Sequence, residues 1–332
     1  MEFIHLDKNK INLKKMFMPL STPVVYTIFN RPQITKKSFE IIRQQKPSKL
    51  FIIADGPRLT HTQDKELCIE TRKIVENIDW QCEVYRNYAE NNLGLKKRTI
   101  SGLDWAFTQT DRIIFMEDDN LAHPDFFKFC ENLLIRYSKD KRISGISGCN
   151  FQHGILRGNA SYYFSKYPHN WGWATWKRTW ENYDGNIKFW PSWRESEDFN
   201  KKFPNNTERR FWKKIFDQSY YGKIDSWGYP LFACMMKQGL LTVTPNFNLI
   251  SNIGFGKAST HTKDSKNSLS NLKLNSINNF IHPKKIEADL DADNYDFKNN
   301  FSEKNYLFPR ILFFLPKILI SFILNKLNKF IK

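Results

Sequence analysis

The chain has 332 residues, enough to bury a substantial core as one large domain or two small ones. Lys and Arg number 51 against 34 Asp and Glu, a net charge of +17. Unless it is a plain compositional bias, that excess restricts partners to nucleic acid, an anionic membrane or phosphorylated ligands. The five cysteines (Cys68, Cys82, Cys130, Cys149 and Cys234) have no metal-ligand or redox spacing, which predicts reduced structural thiols in a cytosolic setting.

Residues 1–18 read as a polar, Lys-rich lead-in and, with Glu2, Asp7 and no apolar run, make a poor secretory signal. Residues 23–29 (PVVYTIF) predict a first buried strand, stopped by Asn30-Arg31-Pro32, and residues 34–45 predict a helix with Phe39 and Ile42 on its apolar face. A second strand over 50–54 ends in Asp55-Gly56-Pro57, and a charged helix follows over 63–78. A short third strand covers 82–85, and the Asn91-Asn92-Leu93-Gly94 turn opens a helix carrying Ile100, Leu103 and Phe107.

Next comes the most distinctive stretch, an apolar run from Ile113 to Met116 that breaks into Glu117-Asp118-Asp119. The lack of polar alternation fits a parallel strand covered on both faces. The acids fall at its C-terminal end, where open α/β sheets take ligands. Alternation puts Glu117 and Asp119 on one side and Asp118 on the other. Adjacent carboxylates repel unless a cation or hydrogen-bond donors meet them, and a hard divalent metal shared with a diphosphate answers that need. The plain alternative is a solvated acidic edge. His123-Pro124-Asp125 then starts another helix, with Pro where a first helical position tolerates it.

Strand and helix alternate to about Tyr137, which predicts an α/β fold with a mostly parallel sheet flanked by helices. No Gly-x-Gly-x-x-Gly follows the first strand and no Walker A sequence occurs. Residues 151–230 are dense in Trp, Tyr and His, residues 239–245 predict a late strand, and the stretch from 262 to 300 reads as a polar linker or arm. The apolar run over 311–324 is broken by Pro316, Lys317 and Ser321 and followed by Lys326, Lys329 and Lys332. It is too short for a spanning helix and suits an anionic membrane surface better than a docked terminal helix. Lys97 and Arg98, one turn after Gly94, make a phosphate site plausible at a helix start, with a solvated basic face nearly as good a reading.

The ordered set Thr27-Ile28-Phe29-Asn30-Arg31-Pro32, Ala54-Asp55-Gly56, Asn92-Leu93-Gly94, Met116-Glu117-Asp118-Asp119 and His123-Pro124-Asp125-Phe126-Phe127 resembles GT-A fold glycosyltransferases. The likeness is to the N-acetylglucosaminyltransferase I-like group and allied bacterial proteins, over roughly Pro19 to Thr262. It implies a Rossmann-like sheet with a nucleotide-sugar half over 19–150 and an acceptor half over 151–262. A linker over 263–300 and a basic apolar tail over 301–332, helical and in membrane contact through 308–332, would complete the chain. Asn30, Arg31 and Asp55 would hold the nucleotide, joined by Lys97 and Arg98. Glu117 and Asp118 would meet the sugar and ribose, and Asp119 would bind Mn²⁺ or Mg²⁺, with His261 as a late metal ligand.

The resemblance also asks for a base downstream of the Gly172-Trp173 segment. Asp225 is the candidate, with Glu195, Glu197, Asp198 and Asp217 as rivals. Trp171 and Trp227 are expected at the acceptor, whereas Trp173, Trp176 and Trp180 share helical spacing that suits a core. Gly254 and Gly256 suit a loop closing over the donor. The implied activity is inverting transfer from a UDP-sugar to a glycan or lipid-linked acceptor, such as a lipopolysaccharide core, at the cytoplasmic membrane face, with no nucleic acid partner. A sugar-phosphate nucleotidylyltransferase or a non-catalytic glycan- or RNA-binding protein are the alternatives.

Overall fold

In chain order the elements of the computed structural model are β1 (Val24–Ile28), α1 (Pro32–Gln45), β2 (Lys49–Ala54), α2 (Asp64–Ile74), β3 (Glu83–Tyr88), α3 (Leu95–Phe107), β4 (Arg112–Glu117), β5 (Asn120–Ala122) and α4 (Pro124–Arg136). There follow β6 (Ile143–Ser147), β7 (Tyr162–Ser165), β8 (Trp173–Trp176), α5 (Lys177–Trp180), α6 (Trp190–Arg194), α7 (Glu197–Lys202), α8 (Asn206–Tyr220), α9 (Gly228–Gln238), β9 (Leu241–Pro245), β10 (Ile250–Asn252) and α10 (Leu290–Asp296). The structure describes residues 19–255, 269–277 and 280–301. The lead-in 1–18, His261, Gly256 and the tail with its expected membrane contact lie outside them. No helix among the described residues is long and apolar enough to cross a membrane.

Eight strands form one sheet in the order β3-β2-β1-β4-β8-β6-β9-β7. Strands β3, β2, β1, β4, β6 and β9 run one way and β8 and β7 the other, so the sheet is mostly parallel. The small pair β10-β5 stands beside it and is antiparallel. The unbroken apolar strands are explained by burial on both faces. Tyr26, Ile52, Ile114 and Met116 face a layer with Phe39 of α1 and Phe126 and Leu133 of α4. Val25, Phe51, Ile113 and Phe115 face the opposite layer, where Leu103 of α3 meets Trp173, Trp190, Trp212 and Trp227. Pro32 and Pro124 occupy the first helical positions of α1 and α4, where a missing N–H costs nothing.

Several boundaries differ from the sequence reading. The second helix stops at Ile74 rather than residue 78, and the third strand runs on to Tyr88. The sheet passes without a break across position 150, because β8 inserts between β4 and β6. The expected linker over 263–300 is largely packed where described. Ile277, Phe280 and Ile286 lie against the core, Ala288 bridges to Phe164, and α10 is docked by its acids. A polar composition concealed this because the polar side chains bond inward. All five cysteines are free thiols, four of them buried.

Candidate active site

Strand order 3-2-1-4 means that successive strands step outward from β1 and then return to its other flank at β4. The crevice at the C-terminal ends of β1 and β4 is therefore the topological switch point, the favoured ligand position in an open α/β sheet. Asn30 and Arg31 leave β1 there, and Glu117, Asp118 and Asp119 leave β4.

Alternation along β4 decides where each acid points. Glu117 continues the Ile113–Phe115 side and accepts a hydrogen bond from Trp227 Nε1 at 3.3 Å. Asp118 lies toward α1, where Ser38 Oγ donates to its carbonyl at 2.6 Å. Arg31 grips the Asp118 carboxylate with two nitrogens, Nε donating at 3.1 Å. The same guanidinium reaches Asp119 Oδ2 at 3.2 Å. Asp119 Oδ1 accepts from Asn120 Nδ2 at 2.9 Å and Asn252 Nδ2 at 3.3 Å. Two carboxylates thus share one cation, and Glu117 adds a third acid beside them.

Burial pushes the Glu117 carboxyl up to about 8, with the Asp119 charge adding to it and the Trp227 hydrogen bond opposing. Asp119 is raised to about 6, again chiefly by burial, with Arg31 opposing and Asp118 adding. Burial works against the Arg31 cation, yet Asp118 and Asp119 hold it above its ordinary range. The site carries more negative charge than its own cation offsets.

The chain closes over Asp119 from far away in sequence. Asn120 Oδ1 accepts from the N–H groups of Glu117 and Gly172. Strand β10 pairs with β5, Ile253 N–H donates to the Asp119 carbonyl at 2.9 Å, and Gly254 follows. A Cβ at Gly254 would lie 2.3 Å from Asp119 Oδ2, so only glycine allows this approach. Asn120 and Asn252 were not singled out from the sequence. Asn120 directly follows the triplet, a signal that was available, while nothing local marks Asn252.

Other expected nucleotide residues are placed differently. Asp55 is buried, and its carboxylate accepts four hydrogen bonds, from Gly56 N, Leu93 N, Gly94 N and Asn92 Nδ2. It builds the 92–94 loop and has no oxygen left over for a base. Arg98 is also buried, donating to Ala54 O at 3.1 Å and to Asn87, so it ties β2 to β3 instead of reaching phosphate. Lys97 is exposed on α3. Asn30 donates to Asp64 at 2.8 Å, which Arg58 also grips.

Asp225 is exposed and lies at the start of α3, where its Oδ1 accepts from Lys96 N–H at 3.2 Å and its Oδ2 sits beside Gly94. The rivals stand on α7, on α8 and just after α6, already paired: Asp217 and Glu195 with Arg194, Glu197 with Lys201, Asp198 with Lys202. Trp227 is 2% exposed and packs edge-on to Phe115, so it orients Glu117 from the core instead of meeting an acceptor. Trp171 is half-buried and stands edge-on to Phe151 and Phe255. Trp173, Trp176 and Trp180 are core.

Among the described residues no group of three or more His, Cys, Asp or Glu side chains is placed to hold a metal. With Asp118 committed to Arg31, Asp119 and Glu117 supply carboxylate oxygens enough only for a cation that takes its remaining ligands from phosphate and water. Magnesium-type cations bind in that way.

No protein-family model matches the chain, and no curated protein matches it. Among solved structures it is similar to a mannosyltransferase from Pyrobaculum calidifontis in complex with GDP-Man and Mn²⁺, at 9% identity and a TM-score of 0.35, over 69% of this chain and 74% of that one. It is also similar to a UDP-glucose pyrophosphorylase complexed with UDP-glucose, at 10% identity and a TM-score of 0.33, over 68% of this chain and 90% of that one. Overlaps at this level carry no weight for function, and the chemistry is read from this chain's own side chains.

Proposed function

We propose that the chain is a metal-dependent glycosyltransferase that moves a sugar from a nucleotide-sugar donor, a UDP-sugar, to a glycan or glycolipid acceptor with inversion. The observation that carries the reading is the set of three acids in the crevice between β1 and β4, two of them sharing one guanidinium and the third, Glu117, held among the described residues only by Trp227. A diphosphate adds negative charge to such a crevice, so it would enter with a cation. Asp119, with Glu117 beside it, would hold Mn²⁺ or Mg²⁺. When bound, that cation would offset the charge left on the departing nucleoside diphosphate.

The protein's own groups would do the rest. Arg31 fixes Asp118 and steadies Asp119, and Trp227 fixes Glu117 where it can accept from the sugar hydroxyls. The 92–94 loop built on Asp55 would wall the nucleotide, with exposed Lys97 near its phosphates. Asp225 has Oδ1 on Lys96 N–H, while no partner of Oδ2 is found among the described residues. That oxygen would take the acceptor hydroxyl proton as the hydroxyl attacks the anomeric carbon. Every rival acid is held in an ion pair elsewhere.

Nucleoside diphosphate release from a panel of UDP-sugars, with and without Mn²⁺, tests the reading. Metal-dependent UDP release is the expected result. Pyrophosphate in place of UDP would point to nucleotidyl transfer, a reading disfavoured because Asn30-Arg31-Pro32 runs straight into α1 with no Gly-rich loop. Glycan or RNA binding without turnover would remove the enzymatic reading.

A further inference from the structure

We propose a second binding site, for a neutral oligosaccharide, in a cavity of about 550 Å³ between the end of β9 and the start of β7. Leu156, Asn159, Phe247, Asn275 and Ile281 give it its character, and among the described residues no charged side chain lines it. In a chain of net charge +17 a neutral wall is informative, because it offers nothing to phosphate or to an acidic ligand. Leu156, Phe247 and Ile281 are 56%, 36% and 52% exposed, three large apolar side chains left in water around one opening. Phe247 has no aromatic partner among the described residues, and the side-chain amides of Asn159 and Asn275 have no hydrogen-bond partner there.

Those groups match one ligand class. A pyranose presents an apolar C–H face to a ring and a rim of hydroxyls that both donate and accept. An amide side chain answers a hydroxyl in both senses, and the Phe247 ring supplies the apolar platform.

Position relates the cavity to the acids. Strands β9 and β6 run in the same sense as β4, so the cavity opens on the sheet edge that carries Glu117 and Asp119. A single run of chain joins the two places, from Phe247 in the cavity wall to Asn252 on Asp119. Five residue steps span at most about 18 Å. A glycan several sugars long, anchored at Phe247, would lay its far end at the acids. The assignment of that glycan as the acceptor rests on the glycosyltransferase reading, whereas its binding does not.

The test is retention of the full-length protein on an immobilised panel of neutral and acidic oligosaccharides, without nucleotide or metal. Wild-type protein is expected on neutral members of several sugars, with Phe247→Ala and Asn275→Ala each weakening retention about tenfold, a loss of one hydrogen-bonded or stacked contact. Both positions are surface-exposed, and unchanged melting temperatures would certify folding. Both variants should keep wild-type UDP release in the absence of acceptor. Wild-type retention by both variants, binding confined to acidic members, or no binding at all would overturn the site. Neutral binding that depends on Phe247 in a protein that releases no UDP would retire the enzymatic reading and leave this site standing.

Discussion

Two groups of buried acids sit in this molecule under opposite conditions. In the strap of chain that carries α10, and on α8 beside it, each buried acid has been answered. Asp296 meets His169 and Asn300, Asp293 accepts from Ser165 Oγ at 2.5 Å and Lys166 N–H at 3.3 Å, and Glu208 takes both Tyr167 and Lys166. His169 lies flat on Phe301, with ring planes 3° apart. At the end of β4, Glu117 has a single 3.3 Å donor, while Asp119, crowded by Asp118, shares Arg31 with it and takes its other donors from the neutral amides of Asn120 and Asn252. A buried charge with partners holds a fold together, and one without enough of them awaits a ligand. The contrast separates a structural from a functional use of the same residue type.

Removing an acid from each group breaks or sharpens that contrast. The largest effect is expected at Asp119→Ala, which should lower metal-dependent UDP release by about a thousandfold while leaving the melting temperature unchanged or higher. A loss of stability there as large as in the strap would erase the distinction. Asp225→Asn keeps an oxygen for Lys96 N–H and should lower kcat at least about a hundredfold, with donor affinity by calorimetry unaltered. An active Asp225→Asn enzyme rules out this base. In the strap, Asp296→Ala leaves His169 buried without its partner and should cost about 3 kcal/mol in urea unfolding, with UDP release per folded molecule preserved.

The smallest effect is a pH slope. Burial raises the Asp293 carboxyl from 3.8 to about 7, against the pull of Ser165 and Lys166. The unfolded chain loses this proton from about pH 4, while the folded chain keeps it until about pH 7. The unfolded state therefore binds fewer protons in that window, and stability falls as pH rises through it. Asp293→Asn should flatten the decline in melting temperature between pH 4 and 7, and an unchanged slope would place the titration elsewhere.

The parallel half of the sheet was legible because strands buried on both faces leave unbroken apolar runs, and the acids because three charges ending such a run have no packing explanation. What each polar side chain is attached to was not legible. Arg98 looks like a phosphate ligand by its place one turn after Gly94, yet β2 and β3 offer it carbonyls in the folded chain. Asp55 looks like a base acceptor at a strand end, yet a loop nearly forty residues later folds onto it. Trp227 belongs to the core because α9 returns beneath β4. The polar stretch before residue 301 read as a linker since composition cannot say whether Asp293 and Asp296 face water or Ser165 and His169. These are tertiary choices, made by residues from 11 to 128 positions apart.

Gly254 offers a different use of the same geometry. Its backbone rests on Asp119 so closely that one added methyl must displace the carboxylate. Alanine at this position is therefore a steric lock: a protein with every acid, amide and guanidinium of the crevice intact but the key oxygen moved off its mark. Such a form separates the presence of charge from its aim, which removal of any acid cannot do.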